Sequence, residues 1–269
     1  MMQLSMSNIA WKKEQDEEIY RFMQENGFTG LEIAPTRIFP ELPYEHLKEA
    51  EIWSKRLKKE YGFSISSMQS IWFGKTQALF GTDEEREALL NYTKQAIDFA
   101  AAVECGNLVF GCPKNRVVPD GQTMDWADEI AACFFKELAD YAAHKGTVLA
   151  LEANPAIYNT NYINDTASAL RMIEKVNSRG FLFNLDVGTI IQNGETLEQL
   201  SESVSKINHV HISEPGIEAL TSRELHGDLL RLLKGKGYQK FISIEMKTQE
   251  RVENIKNAMR YMREVFEQI

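Results

Sequence analysis

Four residues able to bind a metal or move a proton recur at near-regular spacing in the second half of the sequence: Glu152 in VLALEAN, Asp186 in LFNLDVG, His211 in HVHISEP and Glu245 in SIEMK. The steps between them are 34, 25 and 34 residues. Each residue closes or sits near the end of a short apolar run of strand character. An acid at one such position equally suits a helix cap or an ion pair. Three carboxylates gathered at one height repel one another strongly unless protons or a cation neutralise them, and a divalent ion is the simplest neutraliser. Three carboxylates and one imidazole form a hard, oxygen-rich donor set. It suits Mn²⁺ or Mg²⁺, with Co²⁺ also possible and Zn²⁺ a further candidate, and it lacks the sulfur of a structural zinc site.

Such residues converge only if the elements carrying them are neighbours. Strand-type runs occur at Gln3–Ile9, Gly30–Ala34, Phe63–Ser70, Asn107–Gly111, Thr147–Glu152, Phe181–Asp186, Ile207–Ser213 and Phe241–Met246. Between them lie segments of helical periodicity, such as Ala127-Ile130-Ala131-Phe134-Phe135-Leu138 and Leu197-Leu200-Val204. Thr82 and Asp165 offer helix N-cap oxygens, and Gly27, Gly62, Gly146, Gly180 and Gly237 fall where helices should stop. Eight alternating units of roughly 34 residues imply parallel pairing through right-handed crossovers, and hence an α/β fold: a (β/α)₈ TIM barrel occupying residues 1–269 as one domain. An open doubly wound sheet is the alternative, but no glycine-rich phosphate loop follows any strand. In a barrel, acids one βα unit apart meet at the C-terminal mouth.

With 30 Lys and Arg against 39 Asp and Glu, the formal net charge is −9, which argues against a nucleic-acid partner. No stretch approaches the roughly 18 apolar residues of a membrane span, and no secretory leader is visible, so a cytoplasmic protein is expected. Cys105, Cys112 and Cys133 are odd in number and lack C-x-x-C spacing, which fits buried or semi-buried free thiols in a reducing compartment.

E-x-N after the fifth strand, L-D-x-G-T in the sixth, H-V-H in the seventh and I-E in the eighth resemble the xylose-isomerase-like sugar isomerase/epimerase superfamily. GLEIAP in the second strand and Gly237-Tyr238 before the eighth add to the likeness, which covers nearly the whole chain. The resemblance implies that Glu152, Asp186, His211 and Glu245 hold the metal. It implies too that Glu152 and Glu245 move a proton on a small carbohydrate through an enediolate, as in the ketose 3-epimerases. Barrels of this type often form dimers or tetramers, so a homo-oligomer is possible. Two other readings stay open: a metal-dependent lyase or dehydratase on a cyclic polyol or keto-sugar, and a sugar-binding barrel without catalysis.

The chain also departs from that pattern. Thr189 stands three residues after Asp186, where the superfamily commonly has a histidine, and HISEPGIEAL has Glu214 but no nearby arginine. Glu224-Leu225-His226 resembles a zinc-binding D-x-H pair of barrel-type apurinic endonucleases, although both residues equally suit the start of a helix. His209 shares a strand face with His211 and should lie beneath it. Trp11, Glu32 and Gln69 are expected to line the pocket opposite the metal, with Trp11 stacking on a sugar face. Asn154, Tyr158 and Asn161 offer neutral hydrogen-bonding groups, and Lys247, Lys114 and Arg116 could hold an anion, the last two being read first as solvated loop residues.

Overall fold

The computed structural model describes residues 1–269 as a closed parallel barrel whose eight strands pair in chain order, the eighth against the first. The strands are β1 (Gln3–Ser7), β2 (Gly30–Ile33), β3 (Ser64–Met68), β4 (Leu108–Phe110), β5 (Leu149–Glu152), β6 (Phe181–Asp186), β7 (Ile207–Ile212) and β8 (Phe241–Ile244). The helices are α1 (Asp16–Glu25), a single turn α2 (Pro35–Ile38), α3 (Leu47–Tyr61), α4 (Asp83–Ala102), α5 (Met124–Lys145), α6 (Thr166–Val176), α7 (Val187–Asn193), α8 (Glu224–Gly235) and α9 (Val252–Glu267). All eight expected strands are present, most of them shorter by one to three residues than the apolar runs.

The main apolar core lies between strands and helices, where Phe110, Phe135 and Phe181 pack as one aromatic column. The barrel interior is polar. Ser5 Oγ and Ser66 Oγ lie 2.6 Å apart, and His209 Nε2 meets Ser243 Oγ at 2.8 Å. Side chains of this kind replace the branched aliphatic layers more usual inside such barrels, and each is tied to a partner, as buried polar groups must be.

Two expectations are corrected. The helix following β6 is α7, not Leu197–Val204, which instead forms two short 3₁₀ turns. The reason is local: the Asp186 carboxylate accepts the Thr189 amide at 2.8 Å, so it caps and starts a helix directly at the strand end, and Gly194 at φ +65 stops it. Gly180 is not a helix stop either, because α6 ends at Asn177 in the left-handed region. Gly180 is glycine because the chain passes against α5: a Cβ there would lie 2.0 Å from the Ala139 carbonyl oxygen and 2.9 Å from the Ala143 nitrogen. The thiols also differ from expectation in part, since Cys105 is buried, Cys112 half-buried and Cys133 exposed.

A methyl group at Gly180 must push α5 away from β6. Gly180→Ala is therefore expected to cost about 1–3 kcal/mol or more, read as a lower urea midpoint at unchanged slope. An unchanged midpoint would show that the approach is not tight.

Candidate active site

The barrel register brings the four spaced residues together. Asp186 and His211 are directly paired Cα neighbours on β6 and β7, Glu152 closes β5 beside Asn184, and Glu245 follows β8 by one residue, its amide still bonded to Ile212 of β7 at 3.0 Å. One donor atom from each of Glu152, Asp186, His211 and Glu245 lies within 4.8 Å of the others. His211 Nδ1 faces Glu152 Oε1 at 3.0 Å and Glu245 Oε2 at 3.2 Å. No lysine or arginine comes within ion-pair distance of these three carboxylates; His211 is the group paired with Glu152 and Glu245, and the Arg116 guanidinium lies behind Glu152.

Supporting contacts aim these groups. His211 Nε2 meets Glu32 Oε2 at 2.7 Å. That carboxylate fixes the ring so that Nδ1 looks into the cluster, the arrangement by which a second carboxylate orients a metal-binding histidine. Glu152 accepts Asn184 Nδ2 on Oε1 at 2.8 Å and Asn154 Nδ2 on Oε2 at 2.9 Å. Asp186 accepts the Ser213 hydroxyl on Oδ1 and both the amide and the hydroxyl of Thr189 on Oδ2, each of the latter at 2.8 Å. Thr189 Oγ1 also lies 2.9 Å from the Ala153 carbonyl, so its one hydroxyl proton is shared between that carbonyl and Asp186, and the threonine braces Asp186 from behind.

The electrostatics follow from burial and crowding. Burial, with Glu152 and Glu245 close by, pushes the Asp186 carboxyl up to about 7, and burial raises Glu245 as well. Burial alone would depress His211, but the charges of Glu245 and Glu32 and its hydrogen bonds hold it well above the ordinary imidazole value. Burial opposes ionisation of Glu32, yet His211 and His209 keep that carboxyl well below the usual range. Protons thus stand where a cation is favoured. The donor set fits a divalent ion: each of the three carboxylates keeps an oxygen with free acceptor capacity, and one imidazole nitrogen faces them.

Several sequence expectations change. Glu32 does not line the pocket wall; it is fully buried beneath the cluster, bonded to His211 and to Gln69 Nε2 at 3.0 Å. His209 lies under His211 as expected, 3.3 Å from the same Glu32 oxygen. Trp11 offers no face to a sugar: it is 1 % exposed, its indole donates to Asp16, and Arg37 covers the ring. Arg116 is not solvated but fully buried, donating to Asn154 Oδ1 at 2.7 Å and to the Glu152 carbonyl at 3.0 Å. Asn161 is structural, bonded to the backbone of Val118. Glu214 does have an arginine nearby, pairing with Arg223 Nη2 at 2.6 Å. Glu224 begins α8, and the buried His226 meets Tyr261 Oη at 2.9 Å rather than joining the carboxylates. Lys247 pairs with Glu218. Asn184, Ser213 and the bracing role of Glu32 went unread in the sequence. Alternation could have found the first two, since Asn184 lies two residues before Asp186 and Ser213 two after His211.

Above the cluster opens a cavity of about 420 Å³ lined in part by Gln69, Trp72, Asn154, Tyr158, Asp186 and Glu245. Its place, at the C-terminal ends of the strands, is where barrels of this type carry their sites.

The fold and this register define a member of a known group of barrels: residues 20–265 match the family model described as xylose isomerase-like TIM barrel, and the chain belongs to that family. Among solved structures it is similar to a 3-keto-D-glucoside 4-epimerase from E. coli, at 20% identity over 98% of this chain and 100% of the other, with a TM-score of 0.78. It is also similar to the D-psicose 3-epimerase of Clostridium cellulolyticum H10 solved with D-tagatose, at 14% identity over 99% and 98%, TM-score 0.77. A third is the IOLI protein with a bound zinc atom, at 16% identity over 99% and 96%, TM-score 0.70. No curated protein matches the chain.

Two outcomes follow from the geometry. Thr189→Val, which removes the hydroxyl bracing Asp186, should weaken divalent-ion affinity by about 10–100-fold by calorimetry. Asp186, Glu245 and His211 all hold protons more tightly folded than unfolded, so the stability they lend is present at low pH and lost as pH rises, for Asp186 between about 4 and about 7. A cation that displaces those protons should raise Tm more at about pH 8 than at about pH 5.5, whereas an equal gain at both would contradict the assignment of these ligands.

Proposed function

We propose that the protein is a divalent-metal-dependent isomerase or epimerase of a small sugar or sugar derivative. The observation that carries this reading is the pairing of Glu152 and Glu245 across one metal-binding cluster at the floor of the cavity. Glu152 stands on β5 and Glu245 after β8, three strands further round the barrel, so the two carboxylates approach the space between them from different sides. That is the arrangement needed to take a proton from one face of a carbon and return it to the other. The names of the similar structures, which include sugar epimerases, support the same substrate class.

Glu152, Asp186, His211 and Glu245 would hold the ion, and Mn²⁺, Mg²⁺ or Co²⁺ suits their oxygen-rich set, with Zn²⁺ also accommodated. When bound, it supplies Lewis-acid polarisation of a carbonyl and its neighbouring hydroxyl, which acidifies the C–H between them. Glu152 is held by Asn184 and Asn154 with its carboxylate presented to the cavity, and it removes that proton to give an enediolate. Glu245, on the other side of that carbon, delivers a proton of its own to the opposite face, and the proton taken by Glu152 leaves to solvent before the next turnover. Tyr158, whose hydroxyl accepts from the Gly216 amide at 2.9 Å, and Asn154 offer hydrogen bonds to sugar hydroxyls along the cavity wall. Gln69 and Trp72 close the side nearer β3 and limit water around the reacting carbons.

Protein purified without chelator should carry about one divalent ion per chain by elemental analysis, and Asp186→Asn and His211→Ala should lose it. Glu152→Gln and Glu245→Gln should keep part of the metal yet cut deuterium uptake from D₂O into a panel of ketoses by about 10²–10⁴-fold. Turnover surviving both glutamate changes, or no metal even after loading, would overturn the reading.

A further inference from the structure

Arg116 is the only buried lysine or arginine of the chain, and no carboxylate lies within ion-pair distance of it. Of its three side-chain nitrogens only Nη2 is engaged, donating to Asn154 Oδ1 at 2.7 Å and to the Glu152 carbonyl at 3.0 Å, while Nε and Nη1 meet no protein acceptor. A charge buried on these terms is a net cost to the fold, and an apolar side chain of similar volume is often tolerated as well or better. Stability therefore does not account for the guanidinium; what it touches does.

It touches the support of Glu152. Asn154 takes the guanidinium on Oδ1 and turns Nδ2 to Glu152 Oε2 at 2.9 Å. A guanidinium offers only donors, so the Asn154 atom facing it must be the oxygen and the atom facing the carboxylate must be the nitrogen. The backbone of Asn154 is held independently, its amide on the Ile163 carbonyl at 3.1 Å and its carbonyl on Asn164 Nδ2 at 2.8 Å, so rotation of the side-chain amide is the freedom left for Arg116 to remove. Asn184 is the contrast: it supports the other oxygen of Glu152, but its own Oδ1 has no partner to fix which way round the amide lies. The loop carrying Arg116 is anchored on both sides. Asn161 exchanges two hydrogen bonds with the Val118 backbone and ties it to the loop after β5, and Asn115 ties it to the loop after β3. Where β4 ends, Gly111 leaves room for the pair, since a Cβ there would lie 2.9 Å from Glu152 Oε2 and 3.2 Å from Asn154 Oδ1.

We infer that Arg116 is a positioning residue for the proposed proton transfer: by fixing Asn154 with its nitrogen toward Glu152, it holds that carboxylate in the orientation from which it meets the substrate carbon. The inference rests on the isomerase reading for its consequence at the substrate, and on the hydrogen bonds alone for the orientation. With the guanidinium gone, the amide can turn over and set Oδ1 against Glu152 Oε2, two acceptors that repel, and the carboxylate swings out of place. A misplacement of about 1 Å at a reacting group costs about 10²-fold in rate.

Arg116→Met keeps the bulk of the side chain and removes every donor. In the metal-free protein, the Asn154 side-chain amide signal, identified by its absence from the NMR spectrum of Asn154→Asp, should exchange with solvent about tenfold faster or more in Arg116→Met, while the urea midpoint stays level or rises. In the metal-loaded protein, kcat for deuterium uptake into a ketose should fall about 10–100-fold with KM changed by no more than about threefold. Asn154→Asp is the second variant: it gives Arg116 an ionic partner yet turns an acceptor toward Glu152, so it should match that loss of kcat without losing stability. Amide exchange or kcat unchanged in Arg116→Met, or full kcat in Asn154→Asp, would overturn the inference, as would a kcat loss no larger than the fraction of protein that unfolds. If the unaltered protein exchanges no ketose proton while Arg116→Met still frees the Asn154 amide, the isomerase reading fails and the orientation of Glu152 by Arg116 stands.

Discussion

Negative charge confined near the axis of the barrel is the constraint around which the rest of this protein is arranged. Glu32, Glu152, Asp186 and Glu245 converge on one imidazole, His211, and burial denies them most of the solvation that would keep them apart. Such a cluster is tolerable only with protons or a cation in it, because the penalty of an uncompensated buried charge exceeds what any one hydrogen bond returns. The structure meets the problem in layers. Glu32 is paired with His211 above it and neighbours His209, whose ring burial keeps neutral, while the three upper carboxylates are left with acceptor capacity directed into a cavity.

That solution dictates the unusual interior. A barrel filled by valine and isoleucine would strand a buried glutamate, so the lumen here carries Ser5, Ser7, Ser66, Gln69, His209 and Ser243, each with a partner. The apolar stabilisation is displaced outward, into the layer between strands and helices. A few polar atoms remain without protein partners, among them Asn184 Oδ1 and the Nε and Nη1 of Arg116. These belong to the side chains that reach Glu152 directly or through Asn154, while the others lie on Asn8, Gln77, Thr166 and His226.

The loops divide the labour. Glu152 and Asp186 end β5 and β6 and Glu245 follows β8, while Thr189 after β6 and Ser213 after β7 brace Asp186, and Asn115 ties the loop after β4 to the one after β3.

The sequence by itself determined the alternation of eight strands with helices, because apolar periodicity and cap residues are local signals. It also determined which residues gather at the mouth, because Glu152, Asp186, His211 and Glu245 each stand about one repeating unit apart and parallel closure converts that spacing into proximity. Tertiary structure alone decided what lies behind them. Glu32 reads as a pocket residue until the barrel closes and places β2 across from β7; Arg116 reads as a solvated loop residue until it folds under Asn154; Trp11 reads as a stacking surface until Asp16 and Arg37 cover it. Contacts of this kind link residues up to 179 positions apart, and no local pattern encodes them, since they are set by which strand ends meet across the lumen.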